Sequence, residues 1–167
     1  NNLNSAIVSA IRATGGNNEY RYIMVPAYAA TSNMGALRAM KLPDDERIIV
    51  SVHAYSPYNY AMNSGYSKKF SDSAKKELDK FFSDLNNLFM SKGIQVVIGE
   101  FGATNKGHEA DRCLWAEYYI KGAAKYGIPC VWWDNNSGDS EGGECFGIYN
   151  RKTGEWTFKD LADTLIR

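Results

Sequence analysis

No apolar run in this chain approaches the ~20 residues that a membrane-spanning helix needs, so no span is expected. Excess charge of either sign is missing too. The 167 residues carry 19 Lys+Arg against 19 Asp+Glu, which leaves no basic face to neutralise phosphates and argues against a nucleic-acid partner. Cysteine is scarce: Cys113, Cys130 and Cys145 allow at most one disulfide, and their spacing matches no zinc motif. Cys130, inside an apolar run, reads as an inert buried thiol. There is no GxGxxG turn, no P-loop and no GxSxG elbow, so dinucleotide, nucleoside-triphosphate and serine-hydrolase signatures are absent. Neither an acid-rich cluster nor a His pair at ligand spacing occurs, so no catalytic metal and no cofactor are expected. No Pro- or Ser-rich linker divides the chain, and residues 1–167 read as a single domain. The first residue is Asn rather than Met and no charged-then-apolar leader follows, the mark of a processed chain or a fragment.

What is present is a repeated alternation. An amphipathic helix over 3–14 ends at Gly15-Gly16, and four short apolar runs follow, each trailed by a polar loop and a helical stretch. The runs are 22–26 (YIMVP), 48–55 (IIVSVHAY), 94–100 (IQVVIGE) and 129–133 (PCVWW). They are β-branched or aromatic and nearly continuous, as buried parallel strands are. Helices are predicted over 34–40, 73–91, 111–126 and 158–166, with Gly93 and Gly127 as stops. Residues 145–156 contain a small hairpin with Gly154 in its turn. Parallel strands with helical crossovers allow a doubly wound sheet or a (β/α)8 barrel. The missing glycine fingerprint and the long loops after the strands favour the barrel, whose site lies at the strand C-termini. A full barrel typically takes ~250 residues, and only four units are present. The expected fold is therefore α/β: four βα units equivalent to half of a (β/α)8 TIM barrel.

The strand ends bring the chemistry together. The second run ends in His53-Ala54-Tyr55, whose i, i+2 spacing puts both side chains on one face. The third ends in Gly99-Glu100-Phe101-Gly102, and the fourth in Trp132-Trp133-Asp134-Asn135. A lone strand-end His is commonly a hydrogen-bonded structural residue, but a carboxylate ending a buried strand must be paired or functional. Trp132 and Trp133 alternate, so only one faces the rim and the other belongs to the core. Carboxylate, imidazole, phenol and indole on one rim suit a sugar. The indole offers a flat apolar face to a pyranose, and the Glu is placed to attack an anomeric carbon.

At these residues the sequence resembles glycoside hydrolase family 5, on the bacterial endo-β-1,4-glucanase side. IIVSVHAYSP, VVIGEFGA and VWWDNN look like its last strands, and RATGGNNEYRYIMVPAYAA and GECFGIYNRKTGEW extend the likeness over essentially the whole chain. The resemblance implies that the four strands are the fifth to eighth of the barrel and that the chain is its C-terminal half. It implies Glu100 as nucleophile, Tyr55 as its hydrogen-bond partner, and His53 as a cleft residue. Trp133 becomes the sugar platform, with Asn135 and Glu144 as further substrate contacts. A β-glucan substrate and a secreted location follow from the same likeness.

One part of the family pattern is missing. The acid/base Glu preceded by Asn, at the end of the fourth strand, has no counterpart here. Asp134, Glu141 and Glu144 are the nearby carboxylates, and Asp134 should face away if Trp133 faces the cleft. Four units leave two unpaired strand edges and an unfilled interior, so the expected partner is a second copy or an N-terminal half-barrel. The other reading is a carbohydrate-binding half-barrel without turnover of its own.

Overall fold

The computed structural model describes residues 2–138 and 143–166. In chain order the elements are α1 (Asn2–Ala13), β1 (Ile23–Thr31), α2 (Met34–Arg38), β2 (Ile48–His53), α3 (Tyr58–Ala61), α4 (Asp72–Leu88), β3 (Gln95–Phe101), α5 (Glu109–Ala124), β4 (Cys130–Trp132), the strand pair β5 (Tyr149–Asn150) and β6 (Glu155–Trp156), and α6 (Lys159–Leu165). Strands β1 to β4 form one parallel sheet in the order β1-β2-β3-β4. That is an α/β fold.

Strictly sequential order has a consequence. Right-handed crossovers that always add the next strand on the same side put every long helix on the same face. The helix-side residues Val50, Val52, Val96 and Ile98 are buried with Leu78, Phe82 and Leu85 of α4 and Trp115 and Tyr119 of α5, while Val25 is buried with Val8 of α1 and Ile48. On the other face Met24, Tyr28, Val131 and Trp133 are exposed. The sheet is covered on one side only, and its outer strands β1 and β4 each keep one unpaired edge.

Local chemistry sets the boundaries. Ser71 Oγ accepts the Ala74 N–H at 3.2 Å and starts α4, and Asn33 Oδ1 does the same for α2 through Ala36 at 3.1 Å. Helices α4 and α5 approach closely at Gly122, where an added Cβ would lie 2.7 Å from the Phe82 ring. Strand β1 runs five residues further than its apolar core predicts. Between the Pro26–Ser51 and Thr31–His53 pairings it takes up an irregularity in which Ala29 and Ala30 adopt left-handed φ of 52° and 51°. The weak strand formers AYAA hide that extension from a pattern-based reading. Strand β2 ends at His53, two residues earlier than expected, because Ala54 N–H bonds to Glu100 O outside the regular ladder. The stretch 56–71, read as loop, contains the four-residue helix α3.

Candidate active site

The ends of β2, β3 and β4 meet at one rim, and a one-residue bulge aims the carboxylate there. Val52 pairs with Ile98 and His53 with Glu100, so one step along β2 faces two along β3. Gly99 is the extra residue, and the same surplus recurs against β4. Alternation would put Glu100 on the helix side with Ile98; the bulge turns it to the uncovered face, while Phe101 packs back among the helices. Space is tight at 99, where a Cβ would stand 2.9 Å from Ser51 Oγ and that hydroxyl would have to move.

Tyr55 Oη donates to Glu100 Oε2 at 2.7 Å, and His53 Nδ1 approaches the same oxygen at 3.2 Å. Among the described residues nothing hydrogen-bonds to Oε1, which stays open toward the face that lacks a cover. Burial first, then the hydrogen bond to Glu100 and the charges of Glu100 and Glu144, hold the Tyr55 phenol well above its ordinary pKa. Tyr55 is therefore a donor at any working pH, committed to the anionic carboxylate.

The rim is braced from behind by α5. Tyr119 Oη donates to Ala54 O at 2.8 Å and Trp115 Nε1 to Ser56 O at 3.0 Å, which fixes the chain on both sides of Tyr55. Phe101 stacks on Tyr119 at 4.7 Å, and Phe146 tilts against Tyr55 at 5.2 Å. These supports escaped sequence reasoning, because the polar tips of the α5 aromatics carry no sequence signal.

Trp132 turns to the helix side, edge-on to Phe101 and Trp115, with Nε1 donating to Phe146 O at 3.1 Å. Trp133 is consequently on the uncovered face, 40% exposed, its N–H held by Phe101 O at 2.9 Å. Asp134 faces the hairpin. Its carboxylate accepts from the N–H groups of Asn136 (2.7 Å), Ile148 (2.9 Å) and Tyr149 (3.2 Å) and from Arg151 (2.8 Å). Burial works to raise its pKa, but the bonds from Ile148, Arg151, Asn136 and Tyr149 outweigh it and hold the group below the usual carboxylate range. As a candidate proton donor Asp134 is ruled out by that saturation.

Asn135 is spent mostly on its own loop. Oδ1 accepts from Ser137 N–H (3.2 Å) and Phe146 N–H (3.3 Å), and Nδ2 donates to Glu144 O, leaving one amide hydrogen for anything outside. The Glu144 side chain is exposed. Glu141 lies outside the described residues. Among the described residues no three His, Cys, Asp or Glu side chains gather as a metal would require. A hollow of about 540 Å³ lies between the end of β1 and α2, lined by Pro26, Tyr28 and Met40, away from Glu100. Chemistry rather than concavity marks the site, as expected where one wall is not part of the chain.

Comparison with known proteins gives the family and the fold. The family described as Cellulase (glycosyl hydrolase family 5) matches residues 1–139. Endoglucanase A of Clostridium longisporum is 46% identical over all of the chain, which covers 33% of that protein. Endoglucanase B of Neocallimastix patriciarum is 47% identical, with all of the chain and 35% of the relative covered. Among solved structures, the GH5-4 broad specificity endoglucanase from Clostridium longisporum superposes with a TM-score of 0.95 at 46% identity, over 99% of the chain and 49% of that structure. The Ruminococcus champanellensis GH5-4 broad specificity endoglucanase with bound cellotriose gives 0.94 at 41%, over 100% and 49%. The chain spans about a third of these curated relatives and half of these solved structures.

Proposed function

The chain belongs to the cellulases of glycosyl hydrolase family 5, and from that premise we propose that it is the nucleophile-bearing half of a retaining endo-β-1,4-glucanase. The observation that carries the proposal is the Glu100 carboxylate, with Oε2 held at 2.7 Å by Tyr55 and Oε1 open at the strand end. Glu100 Oε1 attacks the anomeric carbon of a β-glucan, the glycosidic bond breaks, and a glycosyl ester forms. Tyr55 fixes the rotamer of the attacking carboxylate and His53 borders it. Trp133 supplies the platform for the sugar, and Asn135 and Glu144 lie along the same loop for further contact.

Retention needs a second carboxyl group ~5–5.5 Å from the first, to protonate the leaving oxygen and then activate water. Asp134 is locked into its loop, so that group comes from a complementary half-barrel joined at the free edges of β1 and β4. A second copy of this chain could close the sheet but would not bring the Asn-Glu acid/base. A β-glucan polymer is met outside the cell, which supports reading this as a secreted enzyme.

A 2-deoxy-2-fluoro cellobioside with an activated leaving group tests the reading. Trapping should add one glycosyl unit to the peptide containing Glu100, and labelling elsewhere, or none with the complementary half present, would sink it. The saturation of Asp134 also supports the other reading, in which the chain alone binds glucan without turnover. Binding of cellotetraose without hydrolysis by the isolated chain would mark that state.

A further inference from the structure

Behind the rim, on the helix side, lies a set of polar atoms that nothing satisfies. Arg112, in the first turn of α5, is fully buried, and among the described residues neither Nε nor Nη1 nor Nη2 has a hydrogen-bond partner. Tyr60 Oη, Thr104 Oγ1 and His108 Nε2 are buried in the same condition. These groups are neighbours. The Tyr60 and His108 rings meet edge to face at 5.8 Å, and Arg112 N–H donates to His108 O at 3.1 Å. Thr104 N–H donates at 2.9 Å to the carbonyl of Ala61, next to Tyr60. The Arg112 charge works against the burial that raises the Tyr60 pKa.

All four are donors. His108 Nδ1 accepts the Lys106 N–H at 3.2 Å. Burial, with the charges of Arg112 and Lys106 behind it, pushes the His108 pKa down to about 4, so at neutral pH the ring proton sits on Nε2. Burial lowers Arg112 to about 10, which leaves it cationic at pH 7. The nearby carboxylates, Glu109 and Asp111, act on Arg112, Tyr60 and His108 only through charge and not through a hydrogen bond. Lys106, also buried, donates to Tyr60 O at 2.6 Å and lies over the Tyr60 ring. Asp111 instead accepts the Phe70 N–H at 2.9 Å. The guanidinium rests only on the faces of Phe158 at 4.8 Å and Trp132 at 5.8 Å. A fully buried cation without an anionic or hydrogen-bonding partner is among the costliest arrangements a fold can hold.

We propose that a halide ion, chloride under physiological conditions, occupies this cluster and accepts hydrogen bonds from Arg112, Tyr60, His108 and Thr104. A monatomic anion fits because every group facing it donates. A water molecule could use the lone pairs of the Tyr60 and Thr104 hydroxyls but would leave the charge of Arg112 uncompensated. The site is on the far side of the sheet from Glu100, so the ion stabilises the fold without competing with sugar.

Two measurements on the folded protein containing this chain decide it. In crystals soaked in bromide, the anomalous difference map should show a peak within hydrogen-bonding distance of the Arg112 guanidinium; density there without anomalous signal would mean water and overturn the proposal. In solution, the melting temperature should rise saturably when chloride replaces gluconate at constant ionic strength, and Arg112→Met should abolish that rise. Equal melting in both salts would also overturn it. Should Arg112→Met not fold, Tyr60→Phe with Thr104→Val should shift the chloride midpoint several-fold, and an unchanged midpoint would count against the site.

Discussion

The two faces of the four-stranded sheet are built from the same kinds of residue and have opposite fates. On the helix side Val50, Val52 and Ile98 are completely buried. On the other side Val131 is 53% exposed, Met24 52% and Tyr28 88%. Side-chain type does not account for the difference; the presence of a cover does. The uncovered face is also the one toward which the bulge at Gly99 turns Glu100, beside His53 and Tyr55. The chain thus completes its own structural layer and presents Glu100, His53 and Tyr55 on the layer it does not complete.

The largest expected effect lies on the open face. Glu100→Gln should lower kcat/KM on β-glucan about a thousandfold or more, ~4 kcal/mol of barrier, while the melting temperature stays close to wild type. Initial rates and melts measured together check both halves, and substantial residual turnover would break the assignment of chemistry to that face. Next comes the covered face, where Leu85→Ala should cost about 2–5 kcal/mol in urea unfolding, against under about 1 kcal/mol for Val131→Ala in the isolated chain. Once a complementary half covers the sheet, Val131→Ala should become markedly more costly; equal costs in both states would mean that the open face stays open.

Tyr55→Phe is intermediate. It removes a hydrogen bond to a charged group, ~1.5–3 kcal/mol, so kcat/KM should fall about ten- to a hundredfold with little change in stability. The smallest effect is at Asp134. Its folded pKa is depressed, so it adds stability above the ordinary carboxylate pKa, and that contribution disappears as pH falls through the folded value. Asp134→Asn should therefore melt below wild type at pH 7, and the gap should shrink toward pH 3. A gap that persists in acid would place the effect of Asp134 in packing rather than charge.

Much of this arrangement is legible in the residues. The runs around Val50, Ile98 and Cys130 are continuous and β-branched or aromatic, and they fold as parallel strands. Leu78, Phe82 and Leu85 keep helical spacing and form the buried stripe of α4. That Trp132 and Trp133 point to opposite faces follows from strand alternation, and the family resemblance named Trp133 as the outward one. Other features leave no pattern to read. The extension of β1 passes through two alanines at positive φ, where neither side chain nor periodicity announces a strand. The bracing of Ala54 and Ser56 by Tyr119 and Trp115 depends on where two aromatic tips land after α5 has packed.

By itself the sequence determined the alternation of strand and helix, the family, and the presence of a carboxylate at the end of the third strand, because these rest on residue type and local spacing. Only the tertiary structure decided which way that carboxylate points, since a single extra residue in β3 reverses the alternation from which a facing would be read. It alone also decided that Asp134 is consumed by its loop and that Arg112 is left with a buried, unpaired charge. Many of these hydrogen bonds join residues far apart in the chain, 14 positions for Ile148 to Asp134 and 65 for Tyr119 to Ala54, and that proximity exists only after the sheet and helices have packed.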